Sequence, residues 1–179
     1  TLNEWTGQHV TTHIMGEVVK KAGYSVEYVT AGYLPQFAGL KTGDLHVAME
    51  IWATTGQEAL AEAEASGGVV NAGEIGMEAI EEWWYPLYMK EKCPGLPDWQ
   101  ALRDCAEAFS VPETAPKGRY LGAPVDWGGF DEERVEALDM PFEVVHAGTD
   151  AALFAELESA YQRQAPIVLW VYSPHWAPV

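Results

Sequence analysis

The chain has 179 residues, enough for one α/β domain of ordinary size or two small lobes, and its 48% hydrophobic and 21% charged residues make a globular, not a disordered, composition. Its 27 acidic against 10 basic residues give a formal net charge of -17, a field that repels phosphate backbones and anionic lipid and argues against nucleic acid as a partner. No apolar run is long enough to span a bilayer, and the start at Thr1 reads as a mature, processed one.

The opening "TLNEW" is expected to be a short strand. In the following "GQHVTTHIMGEVVKKAGY", Val10, Ile14, Val18 and Ala22 recur at four-residue steps, Lys20 and Lys21 fall in the last turn and Gly23 supplies the stop, so the segment predicts an amphipathic helix. Then "SVEYVT" alternates as a strand, "PQFAGLKTGD" reads as a short helix, "LHVAMEIW" as a strand, "TGQEALAEAEAS" as a helix and "GVVNAG" as a strand or loop. The stretch "WWYPLYMKEK" is extended in character and runs into the turn cluster "CPGLP". A chain crossing there divides a first lobe, 1–88, from a second, 89–179; an ordinary strand and loop within one sheet is the alternative.

Beyond it, "PDWQALRDCAEAF" predicts a helix capped by Asp98 with Trp99 packed inside, "RYLGAP" a strand, "DEERVEAL" a helix, "FEVVHAG" a strand, "TDAALFAELESAYQRQ" a helix and "PIVLWVY" a buried strand. Alternating β and α elements predict a doubly wound α/β architecture with mostly parallel sheets. Cys93 and Cys105 bracket "CPGLPDWQALRDC"; the pair fits a disulfide in an oxidising compartment, and two reduced buried thiols would read the same.

Aromatic residues recur at strand ends and in the loops leading to helices: Trp5 in "NEWTGQ", Trp52 in "MEIWATTG", Trp83 and Trp84 in "EWWYPLY", Trp127 in "VDWGGFD", and Trp170, Tyr172 and Trp176 in "LWVYSPHW". In open α/β sheets the carboxyl ends of strands face the ligand crevice, so these rings are expected to converge. Trp83 and Trp84 must point to opposite faces of their strand, so at most one of them faces that crevice. Several indole and phenol faces around one small volume suit a methylated ammonium: each ring quadrupole attracts the charge, and the methyl groups pack as apolar surface.

On these residues, "EWTG" before a helix, "GD…AMEIW" closing a strand, an aromatic pair before Pro, "DWGG" and a terminal "YSPHW", the chain resembles the substrate-binding proteins of ABC importers for glycine betaine, choline and related methylated amines, which have the type II periplasmic-binding-protein fold. Within that family it is most similar to trimethylamine N-oxide binding members. The resemblance implies Trp5, Trp52, Trp84 and Trp127 as cage walls. Many members carry Trp where this chain has Tyr172, which leaves Trp170, Tyr172 and Trp176 as alternatives for closing the cage. Gly128 and Gly129 would offer backbone N–H donors to a ligand oxygen. It further implies a non-enzymatic periplasmic (extracytoplasmic) protein, a monomer without cofactor or metal, whose partners are a small methylated amine and an ABC permease. Such proteins are usually longer, with the chain returning to the first lobe, so that lobe is expected to be incomplete at Val179.

Glu50 is expected to share the strand face of Trp52, and Glu81, Glu82 and Asp126 adjoin other rings; a carboxylate there would neutralise a cation or hydrogen-bond a protonated N-oxide. Lys and Arg are scarce beside these motifs, which favours trimethylamine N-oxide or a similar amine; choline or glycine betaine is the alternative within the family. His9 and His13, at i and i+4 in "HVTTH", lack the Glu of a zinc-protease helix, and neither a Gly-x-Ser-x-Gly elbow, a P-loop nor a dinucleotide fingerprint occurs. The rival from another class is a carbohydrate-binding or glycoside hydrolase domain, which also combines aromatic platforms with carboxylates.

Overall fold

The computed structural model describes residues 1–177. The polypeptide divides into two compact units, Thr1–Met77 with Asp126–Gly128, and Glu78–Val125 with the chain from Gly129 onward.

The first unit contains α1 (Thr6–Lys21), α2 (Gln36–Thr42) and α3 (Gln57–Ala65). The strands expected at 1–5, 25–30 and 45–52 do not form ladders: among the described residues of this unit the β-pairing is a single parallel bridge between Leu2 and Thr30. Side chains make up for the missing ladder bonds. Leu2 N–H donates to Val29 O and Ala31 N–H to Leu2 O. The amino terminus reaches Val47 O at 2.7 Å, Asn3 Nδ2 donates to Ala31 O at 2.9 Å, and Gln8 both accepts from Asn3 N–H and donates to Thr1 O, each at 2.9 Å. Buried amides thus satisfy backbone groups that a neighbouring strand would otherwise take.

This pairing reverses the expected face of α1. Val10, Ile14 and Val18 are 53%, 62% and 55% exposed, whereas Gln8, Thr12 and Gly16 face inward. The apolar stripe is real, but the buried face is chosen by the hydrogen bonds of Gln8 and Thr12 to Thr1 O and by the space at Gly16, where a Cβ would run into the hydroxyl of Tyr28.

The second unit holds one sheet built from β1 (Ile80–Trp84), β2 (Gly118–Gly122), β3 (Phe142–His146) and β4 (Val168–Ser173), in the order β1-β4-β2-β3. Strand β2 runs parallel to both β3 and β4, and β1 closes the edge antiparallel to β4. The run Val168–Tyr172 is buried throughout, as a central strand covered on both faces requires. Its helices are α4 (Met89–Lys92), α5 (Trp99–Asp104), α6 (Asp131–Ala137) and α7 (Asp150–Arg163). Thr149 caps α7 by accepting Ala152 N–H at 3.1 Å.

Several local expectations are corrected here. Residues 89–92 form a helical turn instead of extended chain. The helix begun at Trp99 breaks at Cys105 into a 3-10 turn, Ala106–Phe109; Asp98 stands at its N-cap without a side-chain capping bond. Trp99 is not packed inside but lies in the open beneath the Arg103 guanidinium, 5.5 Å from its ring. Cys93 and Cys105 form a disulfide, with Cα atoms 5.8 Å apart, that ties the end of α4 to the end of α5.

Candidate functional site

In the first unit three distant stretches of sequence deliver rings to one place. Trp5 occupies the N-cap position of α1, where extended chain turns into helix, and its indole packs edge to face on Tyr33 at 5.4 Å and on Trp127 at 5.1 Å. The segment carrying Trp127 is joined to this unit by Leu34 N–H donating to Asp126 O at 3.1 Å. Gly128 follows with φ +73°, a left-handed conformation that a Cβ would strain, and that Cβ would also sit 2.9 Å from Leu34 Cδ1.

Glu50 joins this cluster by an unforeseen route. Its backbone has φ +58°, so the strand alternation expected to align it with Trp52 does not exist. The left-handed turn instead aims its buried carboxylate at Trp5: Oε1 accepts the indole N–H at 2.5 Å and Oε2 accepts from Thr11 Oγ1 at 3.3 Å. Gly7 makes room for it, since a Cβ there would lie 3.1 Å from Oε1. Trp52, half-buried, is tied in through its backbone, whose N–H donates to the Tyr33 hydroxyl at 2.8 Å. Tyr33 was not among the sequence candidates, although "AGYLP" satisfies the criterion that found the others, an aromatic in the loop before a helix.

The second unit arranges the remaining candidates differently. Trp83 and Trp84 take opposite faces of β1, as alternation requires. Trp83 stands opposite Trp170 of β4, stacks on Tyr120 with centroids 4.0 Å apart, and donates its indole N–H to Asp131 Oδ1 at 3.2 Å. Trp84 donates to its neighbour Glu82 at 3.2 Å. Trp170 and Tyr172, two apart on β4, lie on one face with rings 5.4 Å apart, and the Tyr172 hydroxyl donates to Asp150 Oδ1 at 3.2 Å. Both are buried. Trp176 is exposed and adjoins His175, which stacks on Phe154 at 3.7 Å and lies 4.9 Å from Tyr172, so these rings continue the Trp170–Tyr172 pair. Gly129 falls in this unit, where its carbonyl accepts from Arg134 Nη1.

Asp131 was not anticipated by sequence. It is wholly buried, and its Oδ1 also accepts from the Tyr120 hydroxyl at 3.0 Å and faces Arg134 Nη1 at 3.4 Å. Burial pushes its carboxyl up from the ordinary value, and burial followed by the charge of Asp131 pushes the Tyr120 phenol well above its own. Burial lowers the His175 imidazole from the ordinary value. Among the described residues no group of three or more His, Cys, Asp or Glu is placed to hold a metal.

The profile described as the substrate binding domain of ABC-type glycine betaine transport system matches residues 1–178. The chain belongs to that family. Its members are solute-binding components of transporters, not enzymes. Among relatives, the chain is similar to the trimethylamine N-oxide-binding protein of Pelagibacter ubique (strain HTCC1062), at 32% identity over 97% of this chain and 58% of that protein. Among solved structures, it resembles the glycine/betaine/L-proline-binding protein (ProX) of Borrelia burgdorferi, with a TM-score of 0.80 and 18% identity over 98% of this chain and 63% of that one. It also resembles lactococcal OpuAC complexed with glycine betaine, with a TM-score of 0.77 and 16% identity over 98% of this chain and 64% of that one. At such identities the structures establish the α/β binding-protein fold. The chain spans about three fifths of the length of these relatives.

Proposed function

We propose that this domain binds a small methylated amine, trimethylamine N-oxide in the first instance, as the extracytoplasmic solute receptor of an ABC importer. The observation that carries the reading is the first-unit cluster of Trp5, Tyr33 and Trp127 with the Glu50 carboxylate on the Trp5 indole. Indole faces attract a methylated cationic centre, and a buried carboxylate beside them supplies opposite charge or accepts from a protonated N-oxide. Trp5 and Trp127 cover one another edge to face, so a ligand entering there replaces a ring-to-ring contact with ring-to-methyl contacts, while Trp52 keeps exposed surface to add to it. The backbone at Gly128, in its left-handed conformation, is the proposed donor to the ligand oxygen.

The named function of the Pelagibacter relative supports the choice of ligand. Charge supports it too: the only basic side chains in Thr1–Met77 besides histidine are Lys20, Lys21 and Lys41, and none of them belongs to the ring motifs, so a betaine carboxylate has no evident partner in this unit. Calorimetric titration of the intact protein with trimethylamine N-oxide, choline, glycine betaine and a disaccharide tests the reading. Saturable binding led by trimethylamine N-oxide is expected; binding of the disaccharide alone would overturn it.

A further inference from the structure

His146, at the end of β3, has both ring nitrogens committed to oxygen. Nδ1 lies 2.7 Å from Ala123 O and Nε2 lies 2.7 Å from Glu132 Oε1. A backbone carbonyl only accepts, and so does an ionised carboxylate, whereas a neutral imidazole has a single N–H to give. Satisfying both contacts therefore requires the imidazolium. The adjoining Ala147 N–H donates to Gly122 O at 2.9 Å, so β3 holds the outgoing end of β2 at consecutive residues. Gly122 is needed there, because a Cβ would lie 3.0 Å from His146 Nδ1.

Ala123 and Glu132 flank the stretch from which Asp126–Gly128 packs in the first unit. The stretch leaves the second unit after Val125, two residues beyond Ala123, and is back in it at Gly129, three residues before Glu132. We propose that His146 is a positioning residue for the Trp127 segment: as an imidazolium bridging the Ala123 carbonyl and the Glu132 carboxylate, it clamps both ends of that segment, and ligand affinity falls when the ring loses its second proton. The ionisable groups acting on the ring are Glu132 and Asp131, both on α6; Gly122, which ends β2, and Ala123, just beyond it, lie against the ring as well. Partial burial opposes the charge, but the hydrogen bonds to Glu132 and Ala123 outweigh it and hold the ring above the ordinary histidine value. The effect on affinity rests on the proposed role of Trp127; the clamp itself does not.

The test follows the protein between pH 5.5 and 9 by nitrogen-15 NMR of the imidazoles and by hydrogen exchange of amides 125–130, corrected for intrinsic rates. Both His146 nitrogens are expected to be protonated at pH 5.5 with a midpoint above the ordinary 6.5, and protection of those amides should drop as His146 titrates. In Glu132→Gln, which keeps an acceptor and removes the charge, midpoint and drop should move together to lower pH; in His146→Gln the drop should vanish. Affinity for trimethylamine N-oxide should weaken roughly fivefold to tenfold across the same titration. A His146 midpoint at or below the ordinary 6.5, or a protection step that ignores Glu132→Gln, would overturn the clamp. A step in exchange with pH-independent affinity would overturn its link to binding. No binding of any methylated amine at any pH would instead sink the functional reading and leave the clamp to be judged by exchange alone.

Discussion

Trp5 and Glu50, 45 positions apart, are joined by an indole N–H···carboxylate hydrogen bond of 2.5 Å inside the first unit. The bond fixes the ring plane of Trp5 and sets a negative charge at its edge, so the two roles of Glu50 can be separated by substitution. Glu50→Gln keeps an acceptor for the indole but removes the charge; affinity for trimethylamine N-oxide should fall about tenfold by calorimetry, with thermal stability nearly unchanged. Glu50→Ala frees the ring as well and should lose more of both.

Trp52 is half-buried, and its backbone N–H donates to the Tyr33 hydroxyl at 2.8 Å. Trp52→Ala is expected to weaken binding of the amine by about tenfold or more, the loss of one desolvated cation–π contact. Unchanged affinity in this variant would remove Trp52 from the ligand surface.

The disulfide between Cys93 and Cys105 closes a short loop whose ends are 12 positions apart in sequence. Constraint of the unfolded chain over a loop of that length contributes about 3 kcal/mol in the chain-entropy picture. Urea unfolding with and without reductant should show a loss of that order, and a Cys93→Ser, Cys105→Ser double variant should reproduce it in the absence of reductant.

The His146–Glu132 pair defines a stability window whose signs follow from the two shifts. The folded-state pKa of His146 lies above its ordinary 6.5, so its contribution is complete below that pH and is lost as pH rises through the raised value. For Glu132 burial works against ionisation, but the bond from His146 leads the effects that bring its pKa below the ordinary 4.5, so its contribution is complete above that pH and is lost on acidification through the lowered value. Thermal melts of wild type against His146→Gln should therefore differ most between about pH 4.5 and 6.5 and converge on either side.

The second unit was the more legible in sequence. "PIVLWVY" reads as a buried strand because its apolar run suits a sheet covered on both faces, and α7 announces itself through Thr149 before a helical repeat. In the first unit, periodicity marks which residues share a face but not which partner strand supplies hydrogen bonds; there Asn3 and Gln8 supply them instead, and the expected strands stay unladdered. Nothing in "VAMEIW" signals the left-handed turn at Glu50 that brings its carboxylate to Trp5. That Trp127 belongs with Trp5 is expected from the strand-end rule and from the family resemblance, since no local spacing connects residues so far apart. Asp131 escaped notice because an acidic residue in the first turn of a helix usually reads as a solvated one, not as a buried acceptor for Trp83 and Tyr120.

The edge-to-face contact of Trp5 with Trp127 has a consequence for biosynthesis. Translation delivers Trp5 first, and on the order of 120 further residues must follow before its partner emerges, a long closure for one contact to repay. Until then the nascent segment carries an indole without its neighbour.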